Sequence, residues 1–209
     1  MTAPPGIVRT GRHYTATKRA LDLAICAVLI PFVVPVGLLC ALLIRLDSSG
    51  PIMFAQMRTG QHGVRFPMFK FRTMVQNTDE LKASLQHLNI LPPPDFKIPD
   101  DPRITRVGGF LRKTSLDELP QIINVMRGEM TIVGPRPTSF AASTYDLWHS
   151  ERLEVVPGIT GLWQVKGRGT MTFDERLRLD IEYIERRSIV FDLKLMVLTA
   201  LAVFRGSGA

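Results

Sequence analysis

The stretch TSLDELPQ, residues 114–121, sets two carboxylates side by side, Asp117 and Glu118, directly after the cations Arg112 and Lys113. The pair has two possible uses. Ser115 with Glu118 has the spacing of a capping box, and acids in a first turn are favoured by the helix dipole. Pro120 argues against a helix that starts at Ser115, because it would fall beyond the first turn and break a backbone bond. A start near Leu119, with Pro120 at the first helical position, suits proline better. Asp117 and Glu118 then lie just outside the helix, close to its exposed amides and to Arg112. Such surroundings keep an aspartate ionised and hold a phosphate nearby.

Other stretches carry groups suited to an anionic substrate. In FKFRTM, Lys70 and Arg72 fall on one face of a predicted strand, roughly 7 Å apart, a spacing that suits a diphosphate. A solvated strand face would look the same. In MTIVGPRP a short strand enters a turn where Pro135 and Pro137 hold Arg136 between them, and a fixed guanidinium fork recognises phosphate. Alone, that stretch reads equally as a Pro-Gly turn with an exposed arginine. The glycine-rich VVPGITGLWQVKGRG carries Trp163, Lys166 and Arg168, able to stack on a base and contact phosphate.

The elements that position these groups follow from composition and periodicity. The 209 residues, 45% of them hydrophobic, suffice for one ordinary domain. A net charge of +7 points to an anionic partner. Nucleic acid is disfavoured, since the cations are spread along the chain without an aromatic-rich RNA motif. Cys26 and Cys40 lie in one apolar stretch and give no disulfide framework. His13, His62, His87 and His149 are scattered, read as surface residues, and offer no metal-ligand spacing.

Residues 1–13, rich in Pro, Gly and Arg, read as a disordered arm. Leu23 to Ile44 then runs for 22 residues without a charge, long enough for a membrane segment. A cleaved leader is disfavoured by the long basic stretch before it and the absence of a small-residue cleavage site after it. Pro31 and Pro35 interrupt this run and should bend it sharply. The halves Ala20–Ile30 and Pro31–Arg45 measure about 16 and 22 Å as helix, each short of a ~30 Å hydrocarbon core. Basic residues flank both sides, so a re-entrant hairpin with both ends cytoplasmic is favoured, with a kinked span as the alternative. Around Gly60 and Gly63 two β-prone stretches predict a hairpin. A short polar helix is expected from Thr78, two helices meeting near Ser115, and a C-cap at Gly128. Asp192–Phe204 is apolar but too short to cross a bilayer, and reads as a core helix or one lying near the membrane surface.

Taken together, FKFRTM, RKTSLDELPQ, GEMTIVGPRP and PGITGLWQVKGR, in that order behind a proline-broken apolar segment, resemble the bacterial sugar transferases, the monotopic polyprenyl-phosphate phosphoglycosyl transferases. The resemblance runs from about Lys18 to the C-terminus and is similar to the minimal catalytic form of that family. It implies a mixed α/β, largely helical catalytic domain with a small β-hairpin, residues 47–209, working as one unit with a re-entrant helix-break-helix at 14–46. The implied location is the cytoplasmic face of the bacterial inner membrane.

The implied activity moves a sugar-1-phosphate from a UDP-sugar to undecaprenyl phosphate and releases UMP, at the start of polysaccharide or glycoconjugate assembly. Asp117 matches the family's nucleophile, which forms a phosphosugar-aspartate intermediate. Glu118 matches the partner that helps hold Mg²⁺ with it and assists the incoming lipid phosphate, and Lys70, Arg112 and Arg136 match basic positions near the phosphates. The family's Ser-Pro break is Ile30-Pro31 here. A membrane-anchored basic binding module, with the acids as helix caps, is the competing reading.

Overall fold

The structure, a computed structural model, describes residues 12–90, 96–141, 143, 147–167 and 171–204. Most of the predicted arm, Arg168 and part of the proline-rich loop lie outside the described residues. The chain is mixed and mainly helical, with two small two-stranded sheets.

Helix α1, Arg12–Asp47, contains the apolar run. The expected division into two helices is not observed: helical geometry continues through both Pro31 and Pro35. The prolines are four residues apart and so share one side, where each removes a single backbone bond. Bonds on the opposite side carry the helix across. At ~1.5 Å per residue α1 is about 54 Å long, yet both of its ends touch the rest of the chain. Near its start, Lys18 meets Asp192 at 2.7 Å, and Arg19 donates to the carbonyls of Val125 and Met126. At its end, Asp47 accepts from the Val107 amide at 3.1 Å.

Between these ends one stripe of α1 is packed. Cys26 joins Phe66, Met68, Val125 and Met130, while Cys40 and Ile44 join Phe71 and Leu111. Both cysteines are buried free thiols, as composition implied. Asp22, 2% exposed, accepts from the Thr131 hydroxyl and the Ile132 amide. The other side is apolar and uncovered, with Val28, Phe32 and Leu38 each about two-thirds exposed. An apolar surface of that extent marks an interaction face.

Strands β1, Met53–Thr59, and β2, Arg65–Phe71, form the predicted antiparallel hairpin, in register from Met53 opposite Phe71 to Thr59 opposite Arg65. The turn between them carries His62 and Gly63 at positive φ. Helix α2, Thr78–Ser84, starts where expected. Helix α3, Arg106–Lys113, is capped by the Thr105 hydroxyl on the Gly108 amide.

After a 3-10 turn at Leu116–Glu118, α4 covers Gln121–Arg127 with Pro120 at its N-cap, one residue from the position anticipated. It ends at Gly128, φ 82°, in a Schellman arrangement: the Gly128 and Glu129 amides donate to Val125 and Asn124. Strand β3, Thr131–Val133, pairs in parallel with β4, Gly158–Thr160. Backbones pass so closely there that a Cβ at Gly158 would lie 2.1 Å from the Gly134 nitrogen.

Helices α5, Leu162–Lys166, α6, Phe173–Arg186, and α7, Ile189–Phe204, complete the body. Helix α7 packs Leu195 against Val133, Leu162 and Tyr183 and leaves Val190, Val197 and Leu201 exposed. His149 is buried within 3.6 Å of Asp174, not a surface residue as expected; it packs edge-on to Phe173.

Candidate active site

Three elements converge on the acid pair. The 3-10 turn carries Asp117 and Glu118, β2 carries Lys70, and the turn after β3 carries Arg136. Lys70 Nζ lies 2.9 Å from Glu118 Oε1 and 3.7 Å from Asp117 Oδ2. Arg136 donates through Nη2 to the same Glu118 oxygen and through Nη1 to the Ile159 carbonyl at 2.7 Å.

Glu118 is thus clamped by two cations. Asp117 is buried beside them, yet no hydrogen bond to its carboxylate occurs among the described residues. That contrast sets the electrostatics. Burial would raise Glu118, but Arg136 and Lys70 outweigh it and bring the carboxyl down to about 2. For Asp117 burial wins: it pushes the carboxyl up, with Glu118 adding and Lys70, Arg112 and Arg136 opposing. Surroundings that were expected simply to hold this aspartate ionised therefore oppose its charge, because the cations that would offset burial are spent on its neighbour.

Arg112 projects from the last turn of α3, donating through Nε to the Thr73 hydroxyl at 2.8 Å. Burial lowers its pKa, and the negative charges of Asp117 and Asp101 push it back up. Its place depends on Gly108, where a Cβ would meet the Thr73 carbonyl oxygen at 2.1 Å.

Ser115, read as a possible cap, has φ 58° and makes no side-chain capping bond, so the capping box is absent. The left-handed residue turns the chain between α3 and the 3-10 turn, which puts its hydroxyl out of register for Glu118. The box that does form belongs to Thr172 and Glu175 at α6.

Arg72 is separated from the group. Strand β2 ends at Phe71, so the alternation that would align Arg72 with Lys70 stops one residue short. Its guanidinium turns instead to the end of α1, donating to the Ser48 carbonyl at 2.7 Å and to the Ile44 carbonyl at 3.4 Å, where a cation satisfies helix-terminal oxygens. Trp163 lies under Arg176, 5.4 Å from ring centre to guanidinium, and Lys166 pairs with Glu182 at 3.0 Å. Among the described contacts none joins either residue to the acid pair.

Two residues at the site carried no sequence signal. Arg152 donates to the Arg136 carbonyl and meets Asp180 at 2.8 Å. Both sit in ordinary polar helical stretches, where a buried partner is invisible locally.

Adjacent acids, Asp117 buried and Glu118 half-buried, with a lysine and an arginine on one of them make a group suited to a phosphate. The chain belongs to the bacterial sugar transferase family, whose model matches residues 13–206. It is 42% identical over 200 residues to the galactosyl transferase CpsE of Streptococcus agalactiae, covering 95% of this chain and 43% of that protein. It is 40% identical to the undecaprenyl-phosphate galactose phosphotransferase of Salmonella typhimurium, covering 92% of this chain and 41% of the relative. The exopolysaccharide production protein ExoY of Rhizobium meliloti is 36% identical, with 92% of this chain and 87% of the relative covered. The chain spans about two-fifths of the length of the first two relatives.

Proposed function

We propose that this protein transfers a sugar-1-phosphate from a UDP-sugar to undecaprenyl phosphate and releases UMP, by two displacements through Asp117. The observation that carries the reading is the unequal treatment of the two acids: Glu118 is neutralised by Lys70 and Arg136, while the Asp117 carboxylate is buried and has no hydrogen bond among the described residues. A carboxylate poorly stabilised in its ionised form is a better nucleophile than a saturated one.

In the first step an Asp117 oxygen attacks the phosphorus bearing the sugar. The bond from that phosphorus to the oxygen bridging the two phosphates breaks, and UMP leaves with the electron pair. In the second, an oxygen of the lipid phosphate attacks the same phosphorus, breaking its bond to Asp117 and forming a lipid diphosphate sugar. Lys70, Arg112 and Arg136 offset charge on the transferred group. Glu118 orders the two cations and faces the incoming lipid phosphate.

Mg²⁺ fits this donor set. It binds through one or two carboxylates, with substrate phosphates and water completing the shell. Asp117 and Glu118 supply that pair, and no larger cluster of ligating side chains occurs among the described residues. Bound there, Mg²⁺ supplies further charge neutralisation for the diphosphate. Trp163, Lys166 and Arg168 are proposed to serve the nucleotide.

The uncovered apolar side of α1 supports a membrane location, and the contact of both ends of the unbroken helix with one globular body supports a path that keeps both on the cytoplasmic face. Cysteines introduced near residues 15 and 50 should label from the same side. Labelling from opposite sides would establish a span.

The covalent step is tested by rapid-quench mass spectrometry with Mg²⁺ and donor but no lipid, using UDP-galactose and UDP-glucose, the sugars that relatives' names carry. The expected result is a phosphosugar adduct on Asp117 with a stoichiometric burst of UMP. Glu118→Gln should be severely impaired and retain traces of adduct. An active enzyme whose kinetics require a ternary complex, with no adduct under any trapping condition, would leave direct transfer.

A further inference from the structure

We propose that Arg152 and Asp180 form a buried strut that fixes the Pro135–Arg136–Pro137 turn, making Arg152 a positioning residue for the transfer. The inference rests on the reading of Arg136 as a phosphate-holding group.

The side chain of Arg136 is held by Ile159 and Glu118, and the turn around it is held on both flanks. Before it, the Gly134 amide donates to Thr160 at 2.8 Å, and the Pro135 carbonyl accepts from Gly158 at 2.9 Å. After it, the Thr138 carbonyl accepts from the Thr59 amide at 2.9 Å. Arg136's own carbonyl is the remaining free lever, and Arg152 Nη2 takes it. That nitrogen also faces Asp180 Oδ2, so the turn is tied directly to α6. Helix α6 in turn is fixed by Tyr183, whose hydroxyl lies 3.0 Å from the Val133 carbonyl at the end of β3 while donating to Asp192.

Stability does not account for the pair. The side chains of Arg152 and Asp180 are 5% and 2% exposed, and a buried ion pair is a weak stabiliser that apolar residues of similar volume often replace without loss. It is also incompletely satisfied, since Asp180 Oδ1 has no hydrogen-bond partner among the described residues. Burial pushes the Asp180 carboxyl up to about 6 against the pull of Arg152 and Arg176. What the pair does supply is direction at one carbonyl. Misplacement of a phosphate-holding group by about 1 Å costs on the order of 10²-fold in rate.

The test replaces both strut residues by apolar ones, Arg152→Met with Asp180→Leu, in the full chain, alone and combined with Arg136→Ala. Melting temperature is measured, with kcat and KM for UMP release using undecaprenyl phosphate and whichever of UDP-galactose and UDP-glucose turns over faster. The strutless protein should melt close to wild type and lose about 10- to 100-fold in kcat, with a smaller change in KM. Adding Arg136→Ala should then cost no more than Arg136→Ala alone, because Arg152 acts through Arg136. Should the double replacement fail to fold, Arg152→Lys keeps a cation beside Asp180, and it should show a smaller loss with the same non-additivity. Wild-type kcat without the strut, or losses that multiply with Arg136→Ala, would overturn the inference. Undiminished turnover in Arg136→Ala would overturn it at Arg136 instead, together with the phosphate reading.

Discussion

Two buried aspartates, each beside a lysine, divide the labour of this molecule. Asp192 on α7 is fully buried and saturated: Lys18 at 2.7 Å and the Tyr14 hydroxyl at 3.0 Å share one oxygen, and the Tyr183 hydroxyl takes the other at 2.8 Å. Asp117 is nearly as buried but, among the described residues, pairs only with Lys70 at 3.7 Å, beyond hydrogen-bond reach. The first carboxylate is fixed by its partners and joins the start of α1 to α7. The second is left with unused oxygens next to groups suited to phosphate. A nearby cation is common to both, so it is hydrogen-bond saturation that separates the structural acid from the one proposed to react.

The sharpest way to break this comparison is to neutralise both acids. Asp117→Asn should lower turnover by more than ~10³-fold and abolish the adduct, while the fold keeps or gains stability, since a poorly satisfied buried charge is removed. Asp192→Asn should behave in the opposite way, losing about 3 kcal/mol of stability because Lys18 is left without its partner, with turnover per folded molecule unchanged. Denaturant titration alongside kinetics measures both. Loss of activity in a well-folded Asp192→Asn would merge the two classes.

Removing the lysines is a gentler version. Lys70→Met should cost about 10- to 100-fold in kcat with little change in melting temperature. Lys18→Met should cost about 1–3 kcal/mol of stability with kcat intact.

The smallest effect is on pH dependence. Because burial raises Asp117, the acid side of the kcat profile should lie above that of an ordinary aspartate, and Lys70→Met should move it further up by removing an opposing charge. Glu118, held down at about 2, contributes no limb in that range. The linkage to folding has a definite sign. The folded chain binds the Asp117 proton more tightly than the unfolded chain does, so this group contributes stability that is fully present below about pH 4 and is lost as pH rises through the folded value. Asp117→Asn should remove that fall in stability, which thermal melts across acidic to neutral pH would show.

Local signals suffice where the chain needs only a few neighbours to decide. Gly128 ends α4 because only a left-handed residue closes the last carbonyls, and Pro120 marks the start because its missing amide is tolerated there. The hairpin around Gly60 and Gly63 and the family motifs around Asp117 are legible for the same reason. A local pattern misleads where the fold interrupts it one step on. Arg72 was placed by strand alternation that stops at Phe71, Ser115 by a capping spacing that its left-handed backbone defeats, and the break at Pro31 and Pro35 by counting lost bonds on one side of a helix.

Element order, helix stops, the long apolar run and the identity of the acid pair were determined by the sequence itself, since each depends on residues within a turn or two. Which acids are saturated was decided only by the tertiary structure. The partners of Asp192 come from as far as 178 residues away, and the Lys70 that clamps Glu118 lies 48 residues before it. Arg152 and Asp180 have no local mark at all, because a buried charge is defined by what surrounds it in space, and neighbours along the chain do not encode that.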